Sequence, residues 1–152
     1  MTEDQRALAA LTDREVVGMA YPCGGKNYDE MVMQVLETET SIKYARTIIP
    51  SHNFDAPQRF LEWHPTCHML QEDAMELIEA FDKAEPEKDM LLYIWGHSYE
   101  LDAEEGRWAY MEALCARLAA VRGAEFMTNR EVYEALGGRC DIKRFYLIWT
   151  AR

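Results

Sequence analysis

An unbroken apolar run from Met90 to Trp95 constrains the fold of this chain more than any other segment. The run does not alternate with polar residues, and this is typical of a strand buried on both faces inside a parallel sheet. It ends at Gly96-His97, which places an imidazole at the carboxyl end of the strand, where α/β folds carry their chemistry. Since imidazole exchanges protons near neutral pH, His97 is a candidate general acid or base. A solvated histidine at a strand end is the alternative.

Short apolar runs alternate with amphipathic helical patterns along the chain, as in α/β domains. The predicted strands are 15–20, 41–46, 90–95 and 145–149, the last as an edge strand or a docking segment. Helices are predicted over 4–11, 71–83 and 104–121, the last with an Asp102–Glu105 capping box. A further helix is predicted to be capped by Asn27. Another is predicted to be opened by a Thr128–Glu131 capping box and ended by Gly137-Gly138. Residues 47–70 form a long connection, a length usually kept for binding or catalysis.

Three of these helices have predicted apolar faces. They consist of Met31, Val32, Val35 and Leu36; of Met75, Ile78 and Phe81; and of Trp108, Met111, Leu114, Cys115 and Leu118. Each face is expected to pack inward.

Composition narrows the class of protein. The length of 152 residues suits one domain, predicted as 14–152 after an amino-terminal segment 1–13. A net charge of −11 and the lack of a basic cluster argue against nucleic acid as a partner. We find no signal peptide, no membrane-spanning stretch and no Cys-x-x-Cys spacing, so we expect a cytoplasmic protein with reduced thiols.

The segment Ala-Tyr-Pro-Cys-Gly-Gly at 20–25 follows another predicted strand. Backbone N–H groups in such a turn can bind an anion or an oxyanion. Gly24-Gly25 fits ordinary turn chemistry equally well, since a glycine pair is a weak signal.

Five segments in this order resemble the later part of a polysaccharide deacetylase, the NodB-homology domain. They are VVGMAYPCGG at 16–25, IKYART at 42–47, FLEWHPTCH at 60–68, LLYIWGHSYELD at 91–102 and FMTNREVYEAL at 126–136. The resemblance implies an irregular (β/α) barrel, here partial and without its first strands. It also implies a hydrolase that uses a divalent metal to remove acetyl groups from N-acetylated sugars.

The sequence lacks the motifs that supply the metal ligands in this family. Members carry an Asp-Asp pair and a His-x-x-x-His motif ahead of the Tyr-Pro turn, and residues 1–20 contain neither. The resemblance therefore implies a divalent metal, zinc or similar, whose usual ligands this chain lacks. We expect a carboxyl-terminal portion, or a member without its metal half, that is inactive alone.

Roles for single residues follow from the resemblance. His97 matches the general acid toward the leaving amine, and Trp95 matches the residue that shapes the acetyl pocket. Cys23 matches the residue whose backbone N–H contributes to the oxyanion hole. Arg46 can replace a family arginine at the position of Ala20, with a structural ion pair as the alternative.

The remaining site residues are expected to bind the sugar or to orient His97. Tyr21 and His68 are expected to line the sugar site, and Tyr99 and Glu100 to line it or to orient His97; the glutamate can also be a solvated loop residue. Trp63 can stack on a sugar ring or belong to the core. We expect Cys23, Arg46, His68 and His97 to converge at one end of the sheet.

His64-Pro65-Thr66-Cys67-His68 has the spacing of a metal-binding pair, with Cys67 as a soft third ligand. Pro65 breaks a helix, and the family's own pair carries Ser or Thr after its first histidine and precedes the Tyr-Pro turn. No metal ligand is therefore assigned.

Two functional classes remain open at this point. The first is the deacetylase-like hydrolase, with an N-acetylated sugar or glycan as its partner. The second is a module without catalysis, which binds carbohydrate through Trp63, Trp95 and Tyr99 or interacts with other chains. A partial barrel leaves strand edges and apolar surface uncovered, which favours a homo-oligomer.

Overall fold

A computed structural model of the chain describes residues 2–25, 27–85 and 87–137, together with the backbone of 145–151. The helices are α1 (Thr2–Thr12), α2 (Glu30–Glu39), α3 (Ala74–Lys83), α4 (Arg107–Ala119) and α5 (Asn129–Gly137). The strands are β1 (Gly18–Ala20), β2 (Tyr44–Arg46), β3 (Cys67–His68), β4 (Met90–Gly96), β5 (Ala124–Phe126) and β6 (Phe145–Ala151). Short 3-10 helices lie at Phe60–Glu62 and Ser98–Glu100.

The chain divides into two compact units. The first unit comprises 1–48 and 57–64, and in it β1 pairs in parallel with β2. The second unit comprises 49–56 and 65–152, and its four parallel strands have the order β3-β4-β6-β5. The predicted α/β class is confirmed. Within the described residues the strands form these two small sheets and no closed barrel, so the barrel stays a prediction.

The core of the second unit is built around β4, whose seven residues are all buried. The strand lies between β3 and β6, as predicted for 90–95. Side chains of α3 and α4 pack against one face of it. This cluster consists of Cys67, Met69, Ala74, Ile78, Phe81, Met90, Leu92, Ile94, Leu101, Leu114, Leu118 and Val121. Sustained burial on both sides explains why the sequence of β4 shows no alternation.

The core of the first unit is smaller. Its buried members are Tyr21, Leu36, Ile42 and Ala45. Helix α2 begins one residue after Asp29, whose carboxylate accepts the N–H of Val32 at 2.9 Å, so the predicted cap at Asn27 is wrong by two residues. The predicted apolar face is also rotated: Met33 and Leu36 are buried, whereas Met31 and Val35 are exposed.

Helix α4 begins later than predicted. Asp102 accepts the indole N–H of Trp108 at 2.8 Å instead of capping the helix, and Gly106 precedes the first turn with a φ of 87°. Leu114 and Leu118 are buried as predicted, whereas Trp108 and Cys115 are exposed. The side chain of Trp108 thus contacts the loop before α4 and lies outside the core.

For the last helix and the last strand of the chain, the predicted helix cap is confirmed and the predicted strand position is wrong. Thr128 and Glu131 form the predicted capping box of α5, because each accepts the other's backbone N–H, at 3.3 and 2.6 Å. The predicted edge position of 145–149 is wrong, because β6 lies between β4 and β5.

No helix in the described part of the chain is long and apolar enough to cross a membrane.

Candidate functional site

The carboxyl end of β4 presents His97 directly after the last strand residue. A Cβ at Gly96 would clash with the side chain of Met69, which is fully buried and has little room to move. His97 has extended backbone angles and leads into the 3-10 helix Ser98–Glu100. A long buried strand and a close-packed glycine therefore fix the point at which the imidazole emerges.

Glu100 ties this strand end to the neighbouring one. Its Oε2 accepts the backbone N–H of His97 at 2.9 Å and a ring N–H of His68, at Nε2, at 3.0 Å. His68 is the last residue of β3, which pairs with β4 so that His68 lies opposite Trp95. A single carboxylate thus holds the carboxyl ends of two adjacent parallel strands together.

The ring of His68 has a defined tautomer. The backbone N–H of Leu70 donates to Nδ1 at 3.2 Å, so Nδ1 acts as an acceptor and Nε2 carries the proton given to Glu100. The His68 and Glu100 side chains are only 20% and 24% exposed. Glu100 and the Leu70 N–H thus orient the imidazole of His68, a contact that was not predicted. The predicted orientation of the His97 ring by Glu100 stays a prediction.

Planar side chains form a row at the same place. The ring of His68 meets the edge of Trp95 at 4.7 Å between centroids, and Trp95 meets His97 edge-on at 5.4 Å. The ring of Tyr99 then stacks on His97 at 5.1 Å and 18°. Trp95 is buried while Tyr99 is 67% exposed, so the row runs from the core to the surface.

Helix α4 supports the loop that carries Glu100. The guanidinium of Arg107 donates to the carbonyl of Glu100 at 2.8 Å, and the hydroxyl of Tyr110 donates to the carbonyl of Met69 at 3.0 Å. Sequence reasoning missed both residues, since an arginine and a tyrosine in a helix carry no signal of a distant carbonyl partner. Their spacing of three residues, which puts them on one face of α4, was the only hint.

The turn after β1, in the first unit, contains two other predicted site residues. Tyr21 is buried, stacks on Tyr28 at 4.6 Å and donates its hydroxyl to the carbonyl of Leu61 at 2.7 Å. Burial, followed by the proximity of Tyr28, raises the pKa of Tyr21 to about 12, so the phenol stays a neutral donor. Tyr21 therefore stabilises the turn through its packing.

Cys23 lies in the exposed part of that turn with a φ of 60°, a left-handed conformation that costs a non-glycine residue about 1 kcal/mol. The amide of Asn27 donates to the carbonyls of both Pro22 and Cys23 and holds the turn in this shape. A fixed turn of this kind can direct a backbone N–H outward. The oxyanion role of Cys23 stays a prediction.

Arg46 ends β2 and adjoins the Tyr-Pro turn. Its carbonyl accepts the N–H of Tyr21 at 3.0 Å, and its guanidinium donates to the carbonyl of Thr47 at 3.0 Å. The structure thus brings Arg46 together with the turn in the first unit, and His68 together with His97 in the second. The predicted meeting of all four residues stays a prediction.

The described residues do not fit the divalent metal that the family resemblance implies. Among them, no three His, Cys, Asp or Glu side chains are grouped to hold an ion. Burial, and to a smaller degree the charge of Asp73, raises the pKa of Cys67 to about 12, so this thiol is a poor ligand. Both ring nitrogens of His68 are hydrogen-bonded, and Nδ1 of His64 lies 2.7 Å from the hydroxyl of Thr47.

No model of a protein family matches the chain, and searches of curated proteins and of solved structures also found no match.

Proposed function

We propose that this chain is a polysaccharide-deacetylase-like domain, of a partial (β/α)-barrel type, which binds N-acetylated sugars at the carboxyl end of β4. One observation carries the proposal. The imidazole of His97 is partly exposed between the buried edge of Trp95 and the exposed ring of Tyr99, on a backbone held by Glu100. A proton donor beside an aromatic sugar platform needs this combination of access and fixed orientation.

In the proposed role, His97 would donate its proton to the sugar nitrogen once water has added to the acetyl carbonyl, so that the C–N bond breaks to give acetate and the free amine. Trp95 provides an apolar wall for the acetyl methyl group, and Tyr99 provides a face on which a sugar ring stacks. Glu100 keeps the histidine backbone in place through its hydrogen bond to the His97 N–H. Because no described group fits the metal, we expect the domain by itself to bind the sugar without turning it over.

A binding module without catalysis is the second candidate, and one observation favours it. Tyr99 is the most exposed member of the aromatic row and needs no chemistry from His97 to hold a sugar. In that case His97 serves as the stacking partner beneath Tyr99, at 5.1 Å. The two candidates thus share the site and differ in whether His97 meets the sugar nitrogen.

Calorimetric titration with tri-N-acetylchitotriose tests the shared site. Wild-type protein is expected to bind, and Tyr99→Ala is expected to weaken binding roughly tenfold because a stacking face is lost. Trp108→Phe is the matched control, since it changes an exposed aromatic residue on α4 that lies outside the row. No binding by wild type at millimolar sugar, or equal losses in both variants, contradicts the proposal.

The deacetylated sugar chitotriose separates the two candidates. If His97 contacts the sugar nitrogen, His97→Gln should change the ratio of the affinities for tri-N-acetylchitotriose and chitotriose, because the two sugars differ at that nitrogen. A ratio that is the same in wild type and in His97→Gln instead supports the module without catalysis.

A further inference from the structure

A second imidazole–carboxylate pair lies in the second unit and has no part in the proposed chemistry. Nδ1 of His52 is 2.9 Å from Oδ2 of Asp73, and the two side chains are 44% and 39% exposed. The pair joins the segment 49–56 to the residue that precedes α3. Surface ion pairs contribute little to stability, so stability alone is a weak reason for this arrangement.

The side chain of Asp73 contacts His52 instead of capping α3. It occupies the N-cap position of α3, yet its side chain makes no capping hydrogen bond. Asp29, at the corresponding position of α2, does accept a helix N–H. The carboxylate of Asp73 instead accepts from Nδ1 of His52, so that Nε2 of the same ring is an acceptor.

The backbone of His52 is held in an unusual conformation. Its φ is 49°, a left-handed value that costs about 1 kcal/mol for a residue with a side chain. The N–H of His52 donates to the carbonyl of Thr66 at 3.1 Å, and that of Ser51 donates to Pro65 at 2.8 Å. Residues kept in such conformations cluster at sites that bind ligands or react.

Gln71 places this pair next to the candidate site. Its Nε2 is 3.4 Å from Nε2 of His52, and its Oε1 accepts the backbone N–H of His68 at 2.8 Å. His68 is the residue that Glu100 ties to His97. Only one side chain, that of Gln71, therefore separates the ring of His52 from the end of β3.

We propose that His52, Asp73 and Gln71 form a second subsite that hydrogen-bonds the hydroxyl groups of a neighbouring sugar, so that the ligand is an oligosaccharide longer than two units. This inference rests on the proposed function and names its substrate class. Sugar hydroxyls are both donors and acceptors. Partly exposed imidazole, carboxylate and amide groups held in fixed positions supply the complementary partners without a large ordering cost.

Titration with di-N-acetylchitobiose and tetra-N-acetylchitotetraose tests the subsite. Wild-type protein should bind the tetramer roughly tenfold more tightly than the dimer, as expected for one or two extra hydrogen bonds to partly charged groups. His52→Asn should remove most of this advantage and leave the dimer unchanged. Asparagine tolerates the left-handed backbone, so the variant is expected to fold. Asp73→Asn should act in the same direction.

Lys88→Ala is the matched control, because it breaks an ion pair with Asp55 in the same segment, at 2.7 Å, and removes no imidazole. Its tetramer affinity should equal that of wild type. A wild-type protein that binds the two sugars equally, or a His52→Asn variant that keeps the tetramer advantage, overturns the subsite while binding of the dimer keeps the proposed function. Failure of wild type to bind either sugar overturns both.

Discussion

The two strand ends that carry the predicted site residues are built in different ways. The exit of β4 follows seven buried residues and is fixed by side chains, with Glu100 binding the backbone of His97 and the ring of His68. The exit of β1 follows a three-residue strand and is a turn with positive φ at Cys23 and Gly25, and two main-chain carbonyls of this turn accept from the Asn27 amide. Hydrogen bonds at the end of β4 thus fix the orientation of a side chain, whereas those at the end of β1 fix the conformation of the main chain.

Cys23, in the turn after β1, and Cys67, in the strand β3 next to β4, should show the largest contrast. The raised pKa of Cys67, about 12, leaves a thiolate fraction on the order of one in ten thousand at pH 8, and the side chain is fully buried. Cys23 is exposed. Labelling native protein with iodoacetamide, followed by peptide mass spectrometry, should therefore modify Cys23 and spare Cys67. Equal labelling of the two thiols would show that the end of β3 is not enclosed.

Removal of the Glu100 carboxylate should have the next largest effect. Glu100→Ala leaves a half-buried ring N–H of His68 and the N–H of His97 without their acceptor, which costs roughly 1–3 kcal/mol of unfolding free energy. Glu100→Gln keeps an acceptor oxygen and should lose less. Urea unfolding measures both values. An alanine variant as stable as wild type would contradict a strand end fixed by side chains.

The turn in the first unit should respond to backbone changes. Gly25 has a φ of 90° and nothing within 4 Å of an added Cβ, so Gly25→Ala tests conformation alone and should cost about 1–2 kcal/mol. Gly24→Ala is the control, because its Cβ would make an ordinary contact of 3.4 Å with Ile48. The difference between the two melting temperatures measures the strain. Equal melting temperatures would mean that the turn is not conformationally fixed.

Acid should lower the folding stability of both units, because one ion pair in each unit depends on an ionised carboxylate. We expect this effect to be the smallest of the four. Hydrogen bonds from the Arg122 backbone and the Arg117 guanidinium hold the pKa of Asp82 below its usual value, and a hydrogen bond from Arg59 does so for Glu30. Each carboxylate therefore stabilises the fold above its unfolded pKa, near 4, and this contribution is lost as the pH falls through the lower folded value.

Asp82→Asn and Glu30→Gln should each remove part of this acid-dependent stability. The difference from wild type should be present at pH 7 and vanish near pH 2, as followed by urea unfolding. Asp82 is the less exposed carboxylate, so its variant is expected to change more. A wild-type advantage that grows on acidification would give the wrong sign and contradict the assignment.

Strands and helix caps that are determined by residues close together in the sequence could be predicted. The unbroken apolar run gave β4, and the Thr128–Glu131 spacing gave the cap of α5. The position of β6 between β4 and β5 could not be predicted, because strand order depends on long-range pairing that a short apolar segment does not encode. Asn27 does not cap α2, because its amide donates to the main-chain carbonyls of the preceding turn, a local alternative that an asparagine before a helix offers equally well.

The site was predictable only in part. His97, Trp95 and Tyr99 follow one strand, so their proximity could be inferred from the sequence. The bond from His68 to Glu100 spans 32 residues, and no spacing rule indicates it. Contacts of this kind are set by the pairing of β3 with β4, which brings the two ends together only after the sheet has formed.

The most direct test of the account is a nuclear magnetic resonance titration of the protein with tri-N-acetylchitotriose. Ring signals of His97 and Tyr99 and the indole signal of Trp95 should shift together at one affinity, while the indole signal of Trp108 stays in place. A titration that leaves the His97 ring signals unchanged while other parts of the chain respond would contradict a sugar site at the end of β4.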